Sequence, residues 1–345
     1  MPKTKWKFID LFAGIGGFHI ALSKAGGQCV FASEWEKNAS NVYELNFGMK
    51  PSGDITKVNE QAIPKHDILC AGFPCQAFSI SGKQLGFKDT RGTLFFDVAR
   101  IVKYHQPKVV ILENVKNFTR HDDGKTITVV LNTMKELGYK THHKVLKSSH
   151  FGVPQARERV YIVCIRSDVE THREFRFSEE KKPAIAIKEI LDKRVNKEFF
   201  IEREDMQFYK DEKNIKDPYS PHQIGKINKG GQGERIYSIH SSGITLSAHG
   251  GGAAAKTGAY LINKKVRKLT PNECLRMQGF PEDFLMPVSK NIAYKLLGNS
   301  VSTPVIESLM TEVCKCLELK DSNQVQNHNL KEKKHSKRTA RLPLE

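Results

Sequence analysis

No two cysteines stand as a C-x-x-C pair, and the seven in the chain are odd in number and widely scattered. Cys314 and Cys316 form C-x-C on an apparent helix, which sends them to different faces. A zinc ribbon and a disulfide framework are thereby disfavoured. No metal is expected, and a reducing, cytoplasmic setting is. Nor is there an apolar run near the roughly 18 to 20 residues that cross a bilayer. The most apolar early stretch, FIDLFAGIGGFHIALSKAGG, is interrupted by Asp10 and its glycines and has no cleavage-site pattern. A signal peptide is excluded on that ground, and no membrane partner is expected. A third absence is a glycine. Gly14 and Gly16 begin the G-x-G-x-x-G dinucleotide fingerprint, but His19 occupies its last position. A pyrophosphate-binding loop is disfavoured, and a nicotinamide dehydrogenase with it.

What is present is positive charge. The 345 residues carry a formal net charge of +17, with 39% hydrophobic residues, enough for a sizeable core. A polyanionic partner follows, nucleic acid before an anionic membrane surface. Part of the charge sits in KEKKHSKRTAR, Lys331 to Arg341, but the rest of the chain is basic too.

The first half alternates. KFIDLFAG, CVFASEW, HDILCAGFP, KVVILENV and RVYIVCIRSD read as strands. GFHIALSKAG, EKNASNVYELNFG, GTLFFDVARIVKYHQP and GKTITVVLNTMKELGY read as helices. This predicts an α/β fold with a doubly wound, mostly parallel sheet whose ligands collect at the carboxyl ends of the strands. Past Phe177 the pattern turns charged and glycine-rich, which predicts a second, smaller, irregular β-rich unit. TPNECLRMQGFP then restores a capped helix, with Thr270 as N-cap, Pro271 in the first position and Glu273 as the capping-box acid. AYKLLGNSVSTPVIESLMTEVCKCLEL reads as one long closing helix.

Chemistry-bearing residues fall at the predicted strand ends. The glycine loop DLFAGIGGF is a tight turn where backbone can approach a ligand. Glu34 ends the second strand, where a carboxylate can accept both ribose hydroxyls. Trp35 offers a stacking face, and Asp54 a polar group for an adenine amine. Together they suggest an adenosine ligand without a diphosphate, and S-adenosylmethionine fits. Cys75 follows an apolar run. It is open to three readings: packed thiol, metal ligand or nucleophile. Glu113 ends the ILENV strand, and Arg157 and Arg159 precede the next at alternate positions, hence on one face. A thiol, a carboxylate and arginines beside a methyl donor match one reaction. A thiolate adding to carbon 6 of a cytosine makes carbon 5 nucleophilic enough to take a methyl group.

The motifs DLFAGIGGF, GFPCQAFSISG, ENVKNF, QARERVYIV, RKLTPNECLRMQGFP and GNSVSTPV occur in one order across residues 7 to 310. In this the chain resembles the DNA cytosine-5 methyltransferases of bacterial restriction–modification systems. The resemblance implies S-adenosylmethionine as cofactor and double-stranded DNA as partner. It implies a monomer, with a cognate restriction endonuclease linked by function and not by contact. It implies Cys75 as nucleophile, Glu113 as the partner of ring nitrogen 3, Arg159 at the base carbonyl and Arg157 beside it. Phe12, Gly14, Gly17, Glu34, Trp35, Asp54, Pro74, Leu94 and Asn299 would surround the methyl donor. Phe73, Ser79, Ile80, Ser81, Gln232, Arg235 and Thr245 would meet DNA, with Phe73 and Pro74 lining the pocket of a flipped base. Residues 1–187 and 299–320 would form the catalytic and cofactor unit, 188–270 the target-recognition unit and 271–298 the connection. Residues 321–345 would be a disordered basic tail. The last helix would return to the large unit. The resemblance extends to the segment KGGQGERIYS…ITLSA…GGG…AKTG, and it implies a site containing GCGC.

Overall fold

The structure, a computed structural model, describes residues 6–74 and 94–317. Cys75, Ser79, Ile80, Ser81 and the basic tail lie outside the described residues.

Six strands form the first sheet. They are β1 (Trp6–Leu11), β2 (Gly27–Ser33), β3 (Ile68–Ala71), β4 (Val109–Val115), β5 (Tyr139–Lys147) and β6 (Glu158–Arg166), in the order β2-β1-β3-β4-β6-β5. β1 to β4 pair in parallel, while β6 runs antiparallel to both of its neighbours. The sheet is therefore mixed. The sequence reading foresaw every strand of it except β5. That strand, YKTHHKVLK, lies at the sheet edge and is half-exposed, so it carries no apolar run to announce it.

Side-chain alternation divides the core into two layers. Phe8, Cys70, Ile111, Tyr161 and Val163 face one way, onto Phe18, Ala21 and Leu22 of α1 (Gly17–Lys24) and Val305, Leu309 and Val313 of α7 (Thr303–Leu317). Ile9, Leu69, Val110 and Ile162 face the other way. They meet Phe95, Val98 and Val102 of α3 (Leu94–His105) and Ile127, Val130 and Met134 of α4 (Lys125–Glu136). Helices cover both faces, and α2 (Lys37–Phe47) follows β2.

The second sheet is smaller and built of short strands. These are β7 (Met206–Phe208), β8 (Gln223–Ile227), β9 (Arg235–Tyr237), β10 (Ala259–Ile262) and β11 (Lys265–Arg267), in the order β11-β10-β9-β8-β7. Its own core is modest, Ile224, Ile227, Ile236, Ala254, Ala259 and Val266. The helix α5 (Pro271–Gln278) follows with the expected reciprocal cap between Thr270 and Glu273. The Glu273 carboxylate also receives both terminal nitrogens of buried Arg267, at 2.8 and 2.6 Å, tying β11 to the start of α5.

The expected long closing helix is two helices, α6 (Lys290–Asn299) and α7, separated at Ser300–Ser302. Pro304 has no N–H to return to the Ser300 carbonyl four residues back, so the helical ladder fails there. Side chains take that carbonyl instead: Arg157 donates to it at 2.8 Å and Gln278 at 3.4 Å. α7 does pack back onto the first sheet beside α1.

Candidate active site

The carboxyl ends of β1 to β4 form one edge. Because β6 is antiparallel, its beginning reaches that same edge, with Arg159 opposite Val115. This brings five segments of the chain together.

After β1 the chain turns through Phe12, Gly14 and Gly16, all with φ positive, at 56°, 56° and 89°. A Cβ built on Gly14 would meet nothing, so the turn is open to a ligand there. Gly17 is different: a Cβ there would stand 2.6 Å from Val301, so its lack of a side chain lets α1 pack closely against the break between α6 and α7. Glu34 is fixed by two backbone amides, Gly14 at 2.8 Å on Oε2 and Glu36 at 2.8 Å on Oε1. Burial raises its carboxyl above the ordinary value, and these two amide bonds oppose the shift. Each oxygen keeps a lone pair, enough to accept hydroxyls. Trp35 beside it is 78% exposed, an indole face without protein cover. Asp54 caps a short turn through the amide and hydroxyl of Thr56, at 3.0 and 2.8 Å on Oδ1, and these bonds hold it below the usual carboxylate range. Leu94 opens α3 half-buried, and Asn299 closes α6 exposed.

After β3 comes Gly72-Phe73-Pro74. The Phe73 ring is buried in the layer under α3, 5.7 Å from Phe95 and 5.6 Å from Phe118 between centroids. It is the backbone of Phe73 that reaches the edge, where Asn114 donates to its carbonyl at 2.9 Å. Asn114 is buried and in turn accepts from the amide of Val115. The turn entering Cys75 is thus pinned to the end of β4.

Glu113 projects from the opposite face, 9% exposed. Burial raises its carboxyl, against the lowering pull of Arg159 and then Arg157. Oε1 stands 3.3 Å from Arg159 Nε. A Cβ on Gly72 would lie 3.7 Å from Oε2, so that oxygen faces the turn. Arg159 is part-buried and donates to its neighbour's carbonyl at 2.8 Å. The two arginines differ sharply. Arg157 is 2% exposed and donates to the carbonyls of Leu246, Gly298 and Ser300 at 3.3, 3.1 and 2.8 Å. Its terminal nitrogens are committed to main chain, and burial lowers its ordinary value to about 10.

Sequence reasoning missed the amides around Arg157. Gln155 donates to Gln278 and to the Met277 carbonyl at 3.0 and 3.1 Å, and accepts from Leu246 at 3.0 Å. Gln278 accepts from Ser302 at 2.7 Å and donates to Leu297 at 2.8 Å. Both side chains are wholly buried. The available signal was their place beside QARER and GFP, but amide partnerships over 120 residues leave no local trace. Thr245 joins the same junction through the Ala156 carbonyl at 3.1 Å.

Gln232 and Arg235 lie apart from this edge, exposed on the β8–β9 connection and the first residue of β9. Gly233 fits against the Gly251 carbonyl, where a Cβ has no room, so two glycine segments pack backbone on backbone. Ala254 donates to the Gly233 carbonyl at 2.8 Å. Glu234 ties the turn inward by accepting from Asn228 and Gly231 at 2.9 and 3.0 Å.

Residues 6–315 match the family model of the C-5 cytosine-specific DNA methylases, nearly the whole described chain. The chain belongs to that family. It is 51% identical over 319 residues to the type II methyltransferase M.HhaI of Haemophilus parahaemolyticus, covering 92% of this chain and 97% of that one. It is 42% identical to M.NgoBI of Neisseria gonorrhoeae, covering 93% and 97%. The fold is also that of the S. pombe Dnmt2 methyltransferase, with a TM-score of 0.69 at 19% identity, covering 90% and 98%. As a C-5 cytosine methylase the chain is a DNA methyltransferase enzyme of the type II kind. Membership implies S-adenosylmethionine, and the open turn at Gly14, the anchored Glu34 carboxylate and bare Trp35 fit an adenosine-bearing donor.

Proposed function

We propose that this methylase modifies carbon 5 of a cytosine flipped out of duplex DNA, through a transient bond between Cys75 and carbon 6. The site contains GCGC, and the mark protects DNA from a cognate restriction endonuclease. The observation that carries the reading is the pairing of Glu113 with Arg159 beside the turn that enters Cys75.

Inside a duplex both faces of the base are covered, so a thiol can approach carbon 6 only after flipping, at a cost of a few kcal/mol. Arg159, charged and part-buried, holds the ring carbonyl. Glu113, whose carboxyl burial raises against the pull of Arg159 and Arg157, would donate to nitrogen 3. That donation offsets the charge that enters the ring when the thiolate adds. Carbon 5 then carries the electron pair that forms the new carbon–carbon bond. Loss of the carbon 5 proton and elimination of the thiolate restore the ring. S-adenosylmethionine, when bound, supplies an electrophilic methyl group. Glu34 and Trp35 would hold its ribose and adenine, with Phe12, Gly14, Asp54, Pro74, Leu94 and Asn299 around it. Arg157 supports the site from behind.

Residues 188–270 are proposed to read the target, joined through 271–298 to a catalytic unit of 1–187 and 299–320. Arg235 is suited to a bidentate guanine contact, and Gln232 to the gap left by the flipped base. Ser79, Ile80 and Ser81 belong to the DNA-facing loop after Cys75, and Thr245 to the residues that meet DNA. The enzyme acts as a monomer in the cytoplasm.

Random-sequence duplex DNA, incubated with the enzyme and S-adenosylmethionine and sequenced after bisulfite treatment, tests this directly. Protected cytosines confined to GCGC-containing sites are expected. Methyl transfer to tRNA alone, with duplex DNA unmodified, would sink the reading.

A further inference from the structure

Three buried polar atoms around Glu113 have no hydrogen-bond partner among the described residues: Arg157 Nε, the Tyr161 hydroxyl and its own Oε1, which has only the 3.3 Å ion pair to Arg159 Nε, a cation that likewise favours Oε1 as the accepting oxygen. They are neighbours. Glu113 and Tyr161 stand directly opposite in the β4–β6 pairing, so their side chains leave the sheet on one face. Arg157 projects to that same face ahead of β6. Orphaned polar atoms are uncommon in native interiors, and several in one place are ordinarily satisfied by an internal water. The chemistry of the three is complementary. Arg157 Nε can only donate, Glu113 Oε1 can accept, and the phenol can do either.

We propose that Glu113, Arg157 and Tyr161 hold one internal water, and that this water fixes which oxygen of Glu113 carries the proton. The inference rests on the reading of Glu113 as the acid at nitrogen 3. A water that accepts from Arg157 Nε has hydrogens to give. One donated to Oε1 makes Oε1 the carbonyl oxygen of the neutral acid. The proton then resides on Oε2, the oxygen that faces the Gly72 backbone and the turn toward Cys75. The second hydrogen, or the remaining lone pair, serves Tyr161. Tyr161 acts through Glu113 and is a positioning residue.

Tyr161→Phe removes only the hydroxyl and keeps the ring in its core position. A high-resolution crystal structure of the unaltered enzyme should show a water within hydrogen-bond distance of all three atoms. In Tyr161→Phe, kcat should fall roughly tenfold, well short of losing the acid itself. KM for DNA and for S-adenosylmethionine should stay within about twofold, the split expected when an interaction acts only in the transition state. Three results each overturn the proposal: no water at the site, an unchanged kcat, or a loss of kcat accompanied by equal changes in both KM values. The reading of Glu113 is tested apart from this by Glu113→Gln. Full activity there would remove the acid, while the crystallographic water would still decide the binding site.

Discussion

The two sheets present their functional residues in opposite ways. On the first sheet Glu113, Arg157 and Asn114 are buried; strand register places Glu113 and Asn114, and three main-chain carbonyls hold Arg157 just ahead of β6. On the second, Gln232 and Arg235 are exposed, held by a glycine turn with a small core beneath. Burial suits chemistry, because it raises a carboxyl's hold on its proton and keeps bulk solvent out. Exposure suits reading, because a guanidinium must reach a base edge in a groove. If this division is real, changes on the first sheet should alter rate at constant specificity, and changes on the second should do the reverse.

The largest effect is expected for Glu113→Gln. The amide cannot give up a proton to the ring, so kcat should fall by about 10²- to 10⁴-fold. DNA affinity and site preference should hold, as measured by single-turnover methyl transfer and by gel shift. A comparable loss of DNA affinity would blur the division.

Arg235→Ala should come next. A bidentate guanine contact is worth roughly 1 to 3 kcal/mol of discrimination, or about 5- to 150-fold. Comparing kcat/KM on the target duplex and on duplexes altered at one guanine would show the preference shrink. Turnover on the target at saturating DNA should change far less. Arg235 makes no ion pair among the described residues, and its 3.4 Å bond to the Gly230 carbonyl is long, so thermal stability should be nearly unchanged.

This contrast also explains what the sequence could disclose. Apolar runs ending at Leu11, Ala71 and Val115 announced the sheet, and motif residues at those ends announced the site. Alternation alone puts Glu113 and Tyr161 on one face once their pairing is known, but pairing is a long-range fact. The Phe73 ring shows the same limit. By parity with Leu69 and Ala71 it belongs under α3, so its motif position marked a backbone role as much as a side-chain one. Arg157 and Arg159 look equivalent in QARER. Only the approach of Leu246, Gly298 and Ser300 commits Arg157 to carbonyls. The break before α7 was legible at Pro304, but the apolar periodicity on either side masked it. The second sheet was readable as irregular β and no further, because strands of three to five residues carry too little pattern.

The smallest effect, and the one that most sharpens the comparison, is expected for Lys229→Ala. Lys229 is exposed on the same turn as Gln232, but an ammonium on a flexible stem suits a phosphate better than a base edge. Neutralising one phosphate contributes about 0.9 to the slope of log affinity against log salt. Fluorescence anisotropy over a salt series should therefore show the slope reduced by about 1, equally for target and non-target duplexes. Arg235→Ala should instead change the ratio between those duplexes. If Lys229→Ala also changed that ratio, the turn would read sequence as a unit. If the salt slope stayed fixed, Lys229 would not touch the backbone, and the positive charge that draws DNA to the second sheet would have to lie on other residues.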